Sequence, residues 1–96
     1  MTIARHYLMI AKENQLDEMR QALVDLAAKV RPIPGSEGIA LFQDARTPTR
    51  FTFIEYWASV DAHRAGAKQL GKEALDAVMA AIAAPPEGTY LDKIDL

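Results

Sequence analysis

The chain contains two helix-like segments, and strand-like segments flank each of them. Apolar residues recur every three or four positions across residues 16–30, and again in the segment that follows Ser59. Four other segments are rich in β-branched, aromatic and other apolar residues and are predicted strands: residues 2–11, 38–43, 50–57 and 87–96. The order β-α-β-β-α-β predicts an α+β, ferredoxin-like fold, with an antiparallel sheet and both helices on one face.

Capping and breaking residues set the ends of the two helices. Asn14 is the predicted N-cap of the first helix, and Ser59 is the predicted N-cap of the second. Prolines follow each helical segment and end it. Gly66 and Gly71 weaken the first half of the second helix, which allows it to form as two segments.

Both faces of the predicted sheet are apolar. In the third strand Phe51, Phe53 and Trp57 point to one side, while Ile54 and Tyr56 point to the other. Two helices cover only one face of such a sheet, so a monomer would leave the other apolar face in water. We therefore expect a homodimer that packs sheet to sheet, with a partly apolar ligand cavity between or beneath the sheets.

Composition excludes several classes of function. The 11 basic and 13 acidic residues give a net charge of −2, which offers no basic face for nucleic acid or for an anionic membrane. The chain has no cysteine, and its longest apolar run, residues 77–84, is too short to span a membrane. We expect one cytoplasmic domain over residues 1–96, with no nucleic-acid partner, no membrane and no bound metal.

The two histidines are candidate proton acceptors, because imidazole titrates near neutral pH. His6 lies on the first strand, and His63 lies in the first turns of the second helix. The alternative is that each is a structural residue of the core.

Glu55 lies between Phe53 and Trp57 on one face of the third strand. If it is buried, its carboxylate must be paired or its pKa must rise. The alternative is an ion pair with Arg5 or Arg50 that only fixes the strand. Trp57 is either a core residue or the aromatic wall of a pocket for a planar ligand.

Pro34-Gly35, followed by a strand that ends in Glu55-Tyr56-Trp57-Ala58-Ser59, resembles the antibiotic biosynthesis monooxygenase family. That family shows P-G after its first helix and then an apolar strand that ends in E-x-W-x-S. A helix that opens with acidic residues, here Asp61, comes next. The resemblance implies a dimeric α/β barrel made of two ferredoxin-like protomers.

The resemblance also implies a small cofactor-independent monooxygenase that acts on an electron-rich phenol or quinol. The substrate's own phenolate would reduce oxygen, so the expected partners are a small aromatic molecule and oxygen, with no cofactor. His6 would accept a proton or stabilise the anion, His63 would be a reserve acid–base group, and Glu55 would orient a donor. The expected site comprises the catalytic residues His6, His63 and Glu55 and the substrate-binding residues Trp57, Phe53, Tyr7 and Phe42.

Haem degradation, which some relatives of the family perform, is not expected. The histidine of those relatives falls at about Gly66 or Ala67, and neither can ligate iron. Two alternatives remain: an isomerase or cyclase that works through an enolate on the same barrel, and a non-catalytic ligand-binding or stress-associated dimer. Oxygen consumption would separate the oxygenase from both.

Overall fold

The computed structural model describes residues 2–96, which form four strands and three helices. The strands are β1 (Ile3–Ile10), β2 (Ser36–Gln43), β3 (Arg50–Trp57) and β4 (Glu87–Asp92). The helices are α1 (Leu16–Val30), α2 (Val60–Leu70) and α3 (Asp76–Ala81), and a 3₁₀ turn, Lys72–Leu75, joins α2 to α3. All strands pair antiparallel in the order β2-β3-β1-β4, and the predicted α+β ferredoxin-like arrangement is confirmed.

One face of the sheet is covered by the helices. Side chains alternate along a strand, so the odd-numbered residues of β1 and β3 point to this helix-covered face. It carries the buried residues Ile3, Met9, Phe51, Phe53, Glu55 and Trp57, and the helices bury Met19, Leu23, Leu26, Val30 and Val78 in the same cluster or against it. Each large apolar side chain buried here stabilises the fold by about 1.5–3 kcal/mol.

The other face, which we call the open face, has no helix over it. The register brings His6 of β1 opposite Ile54 of β3, and Ile54 opposite Ala40 of β2. Phe42 is 58% exposed and Leu91 is 45% exposed on this face. The prediction that both faces carry apolar side chains is confirmed.

The start of α1 differs from the prediction. Gln15, and not Asn14, precedes the first helical residue, and no side chain caps the helix. Asp17 and Glu18 lie in the first turn. Their negative charges interact favourably with the unpaired backbone N–H groups at the N-terminal end of the helix. This electrostatic contribution takes the place of the expected side-chain cap.

The second helical segment is split, as its glycines allowed. Gly71 has a positive φ of 81° between α2 and the 3₁₀ turn, a conformation that glycine adopts at little cost. The last strand is shorter than predicted: it ends at Asp92, which pairs with Ile3, the first residue of β1. Over residues 2–96, no helix is long and apolar enough to cross a membrane.

Gly66 allows α2 to approach β3 closely. A Cβ atom at this position would lie 2.6 Å from Cη2 of Trp57 and 3.0 Å from Cγ2 of Ile33. Trp57 is buried and cannot move away without disturbing the core. The missing side chain therefore sets how deep α2 lies on the sheet.

We expect Gly66→Ala to lower the free energy of unfolding. Overpacking costs about 1–3 kcal/mol, and the gain in helix propensity offsets about 1 kcal/mol of it. In a Trp57→Phe background the same substitution should be neutral or stabilising, because the two closest ring atoms are gone. The experiment is a double-mutant cycle of the unmodified protein, the two single variants and the double variant. Urea denaturation of these four proteins measures the effect of Gly66→Ala on the free energy of unfolding in each background. An equal effect in both backgrounds would show that the contact does not set the packing.

Candidate functional site

A cavity of about 120 Å³ lies between the helix-covered face and the helices. Its polar lining residues, Tyr7, Glu55 and His63, come from three different elements, and Trp57 lies beside them. The rest of the lining is small or apolar: Met9, Leu26, Val30, Ile33, Gly66, Ala67, Leu70, Gly71, Leu75, Val78, Met79 and Pro86. The cavity therefore has one polar region in an otherwise apolar wall.

Glu55 is a buried carboxyl group with one defined donor. Trp57 lies two residues later on the same face of β3, and its Nε1–H donates to Oε1 of Glu55 over 3.0 Å. Nε2 of His63 is 3.7 Å from the same oxygen. Burial raises the pKa of Glu55, and the Trp57 hydrogen bond and the Arg5 charge oppose that rise. The group is thus poised to exchange a proton closer to neutral pH than an exposed glutamate.

His63 is held between two tyrosine hydroxyls. Its Nε2 lies 3.1 Å from the Tyr7 hydroxyl, and its Nδ1 lies 2.7 Å from the Tyr90 hydroxyl. Burial lowers the pKa of His63, and the positive charges of Arg5 and Arg64 lower it further. A neutral imidazole donates from one nitrogen and accepts at the other, so one tyrosine donates to the ring and the other accepts from it.

The start of α2 orients His63. Ser59 accepts a hydrogen bond from the backbone N–H of Ala62 over 3.0 Å, which confirms the predicted N-cap. Residues three or four apart lie on one side of a helix, so His63 shares its side with Gly66 and Ala67. His63 therefore reaches the cavity from one turn before the position expected for the histidine of the haem-degrading relatives.

Arg5 places a positive charge beside Tyr7 and Tyr90, the two tyrosines that contact His63. The sequence did not identify Arg5 as a site residue. Its guanidinium carbon lies 5.0 Å from the ring centre of Tyr7 and 4.3 Å from that of Tyr90. Its Nε is buried and makes no hydrogen bond. Gly88 leaves room for it, because a Cβ there would collide with the guanidinium. The two rings hold this charge by cation–π contacts.

The structure brings together four of the seven predicted site residues. Glu55, His63, Trp57 and Tyr7 line the cavity, and Phe53 lies on the same face, fully buried and 6.5 Å from Tyr7 between ring centres. His6 and Phe42 lie on the open face, so neither contacts the cavity and His6 does not share it with Trp57.

Of the two predicted partners of Glu55, Arg5 lies near it and Arg50 does not. Arg5 lies directly across from Glu55 in the β1–β3 register and influences its pKa. Arg50 is on the surface, where its Nε is 3.9 Å from Asp44. Within the described part of the chain, no three His, Cys, Asp or Glu residues cluster as a metal site would require.

Tyr90 was missed, and Arg5 was predicted only as a possible ion-pair partner of Glu55 that fixes the strand. Arg5 and Tyr7 share one side of β1 by strand alternation, but only the β1–β4 register shows that Tyr90 lies opposite Arg5. The apolar residues Leu75 and Met79 were also missed, because their periodicity is that of an ordinary amphipathic helix.

Residues 1–68 match the family model described as antibiotic biosynthesis monooxygenase. No curated protein matches the chain in sequence.

Solved structures share the fold. A candidate antibiotic biosynthesis monooxygenase from Caulobacter crescentus CB15 is 25% identical, with a TM-score of 0.85 and coverage of 98% of this chain and 91% of that one. One from Nitrosomonas europaea is 18% identical, with a TM-score of 0.88 and coverage of 97% and 90%. A variant of SnoaB, a cofactor-independent oxygenase from Streptomyces nogalater, is 14% identical, with a TM-score of 0.82 and coverage of 99% and 95%.

We expect Glu55→Gln to become more stable relative to the unmodified protein as pH rises. The pKa of Glu55 is raised above its ordinary 4.5 in the folded state, so the unfolded chain loses this proton first. Rising pH from 4.5 through the folded pKa therefore destabilises the folded protein, and glutamine removes that effect. Urea denaturation between pH 4.5 and 8 measures the difference in the free energy of unfolding.

The exposed Glu73→Gln variant is the matched control for removing one carboxylate. Its difference from the unmodified protein should stay nearly constant over the same pH range. A difference for Glu55→Gln that is equally flat would contradict a raised pKa at Glu55.

Proposed function

The chain belongs to the antibiotic biosynthesis monooxygenase family, and from that premise we propose that it is a cofactor-independent monooxygenase of a single-ring phenol or quinol. One observation carries the proposal: a buried carboxyl group, Glu55, is held by Trp57 and lies beside neutral His63 in an otherwise apolar cavity. A proton acceptor, an aromatic wall and exclusion of water are the three things that a phenolate-forming oxygenase requires of its protein.

The size of the cavity limits the substrate to one ring. An apolar cavity of about 150 Å³ holds benzene, and the volume here is about 120 Å³. A single ring fits with a small adjustment of the lining. The further rings of a polycyclic phenol would not fit within this volume.

We assign the proton-accepting role to Glu55. Its Oε1 is engaged by Trp57, and no side chain of residues 2–96 donates to its Oε2. A phenol hydroxyl in the cavity could donate to Oε2, and Trp57 lines the same cavity as a wall for the ring. Because a base works best when its pKa is near the operating pH, the raised pKa of Glu55 suits this transfer.

The proposed reaction converts a phenol and oxygen into a quinone and water. Glu55 takes the hydroxyl proton, and the phenolate supplies electrons to oxygen. The O–O bond then breaks, one oxygen atom stays on a ring carbon, and the other leaves as water with two hydrogens from the substrate. The ring is oxidised by four electrons, which equals the number that oxygen accepts.

The neighbouring groups would stabilise the phenolate. Arg5 does not line the cavity, but its charge acts on Glu55 and His63, and no carboxylate of residues 2–96 neutralises it by direct contact. His63 and its two tyrosines form a chain of hydrogen-bonding groups from the cavity toward β4. Preorganised groups of this kind act strongly where water is excluded.

We expect oxygen uptake with hydroquinone as the test substrate, and Glu55→Gln should lower its rate about 100-fold, the usual effect of removing a general base. An oxygen electrode measures uptake, and an anaerobic reaction monitored by absorbance shows whether hydroquinone is consumed without oxygen. Consumption without oxygen would assign the isomerase or cyclase instead. No consumption in either condition, across a panel of single-ring phenols, would favour the non-catalytic dimer.

His63→Asn and His6→Asn form a matched pair for the same assay, since both replace an imidazole by an amide. We expect a large loss of oxygen uptake for His63→Asn, which removes the cavity histidine.

The proton-accepting role of His6 and the substrate contact of Phe42 stay predictions. Full activity of His6→Asn would remove the role of His6, and a loss comparable to that of His63→Asn would contradict our assignment.

We also propose that the open face is the contact surface of a homodimer. Phe42, Tyr56 and Leu91 are large apolar residues exposed there, and a groove between Ile54, Tyr56 and Leu91 crosses the same face. An exposed apolar surface of this extent favours association, and two identical sheets are complementary about a twofold axis.

We expect light scattering after size-exclusion chromatography to give twice the chain mass of 10.6 kDa, about 21 kDa. Leu91→Asp should give a monomer, because it places a charge in the apolar contact. Val24→Asp is the matched control, since Val24 is exposed to a similar degree on α1. A monomeric unmodified protein at micromolar concentration would overturn the dimer.

A further inference from the structure

The cavity opens to the surface through an apolar mouth. Leu75 and Met79 line it and are 39% and 51% exposed, and Gly71 and Pro86 are exposed lining residues beside them. Glu55, His63 and Tyr7, in contrast, are buried or half-buried. The lining thus changes from polar groups in the interior to exposed apolar side chains at the surface.

The split of the second helix produces this mouth. The positive φ of Gly71 ends α2, and the 3₁₀ turn then carries the chain to α3. Leu75 and Met79 are four residues apart and lie on one side of the joined segments. Large apolar side chains that stay exposed at the rim of a cavity indicate a surface that a ligand covers.

Ionised Glu55 disfavours a ligand that enters the cavity as an anion, whereas a phenolate would form only after Glu55 has taken the proton and become neutral. Oε2 of Glu55 accepts hydrogen bonds, and a carboxylate or phosphate near it would meet a like charge once Glu55 is ionised. A neutral hydroxyl group donates to Oε2 at no such cost. The chemistry of the lining therefore matches a molecule with a neutral hydroxyl at one end and an apolar group at the other.

We propose that the cavity binds a phenol with an alkyl chain, the ring lying against Trp57 and the chain leaving over Leu75 and Met79. This inference rests on the proposed function for the position of the ring. The volume of about 120 Å³ holds the ring, so the chain occupies the mouth. Chain length then becomes the property by which the protein discriminates among phenols.

The test is a binding series with meta-cresol, meta-propylphenol and meta-pentylphenol. Trp57 is the single tryptophan of the chain and lines the cavity, so its fluorescence reports occupancy. Each added methylene that is buried should lower Kd about fourfold. At pH 8 meta-pentylbenzoate, which has the same chain but an anionic head, should bind at least tenfold more weakly than meta-pentylphenol.

Met79→Asp tests the mouth directly. The variant should lose the gain in affinity from propyl to pentyl, while meta-cresol, which does not reach the mouth, binds as before. Val24→Asp, on the exposed side of α1, is the control and should keep the whole series unchanged. Thermal melting of both variants verifies that they fold.

The outcomes separate this inference from the proposed function. The proposed alkyl specificity is wrong if meta-cresol binds but Kd does not fall with chain length, or if Met79→Asp keeps the full gain in affinity from propyl to pentyl. Neither result would contradict the proposed binding of the ring. If meta-pentylbenzoate binds as tightly as the phenol, the neutral head group is wrong. If no phenol changes Trp57 fluorescence and no oxygen is consumed, both proposals are overturned.

Discussion

The hydrogen bond from Trp57 to Glu55 is the interaction on which the rest of the site depends. The two residues lie on one face of β3 because strand side chains alternate, and the indole N–H meets the carboxyl group at 3.0 Å. Without this donor the buried carboxyl would lose its one close hydrogen bond. The indole in turn fits under α2 only because position 66 is glycine. The depth of α2 then fixes His63 at 3.7 Å from the same carboxyl oxygen.

Among residues 2–96, no carboxylate forms a direct ion pair with Arg5. Arg5 contacts two aromatic rings, and its charge lowers the pKa of both Glu55 and His63, against the effect of burial for Glu55 and together with it for His63. It opposes the rise in the pKa of Glu55, and it adds to the lowering of the pKa of His63. The site thus combines a carboxyl group that gains a proton readily with an imidazole that resists one. Environments that separate two titrating groups in this way are typical of acid–base sites.

The order of strand and helix patterns was sufficient to predict the fold, because each element has a clear apolar period and clear breakers. Strand alternation also placed Glu55 with Trp57, since both lie on β3. The face of the sheet that forms the cavity could not be predicted, because it depends on which side the helices cover. For that reason the sequence favoured His6 as the proton acceptor and His63 only as a reserve acid–base group, although the cavity lies on the side of the sheet that carries His63. Tyr90 was missed because its position beside Arg5 follows from the β1–β4 register alone.

The proton-abstracting group does not by itself distinguish an oxygenase from an isomerase, since both begin with loss of a substrate proton. The remainder of the lining bears on whether oxygen can reach the site. Molecular oxygen is apolar and enters an apolar cavity readily, whereas water needs several polar partners to be held there. Away from Glu55, His63 and Tyr7, the inner wall offers side chains such as Leu26, Val30 and Val78, which hold no water. A phenolate formed at Glu55 would therefore meet oxygen in a site that does not hydrate the anion.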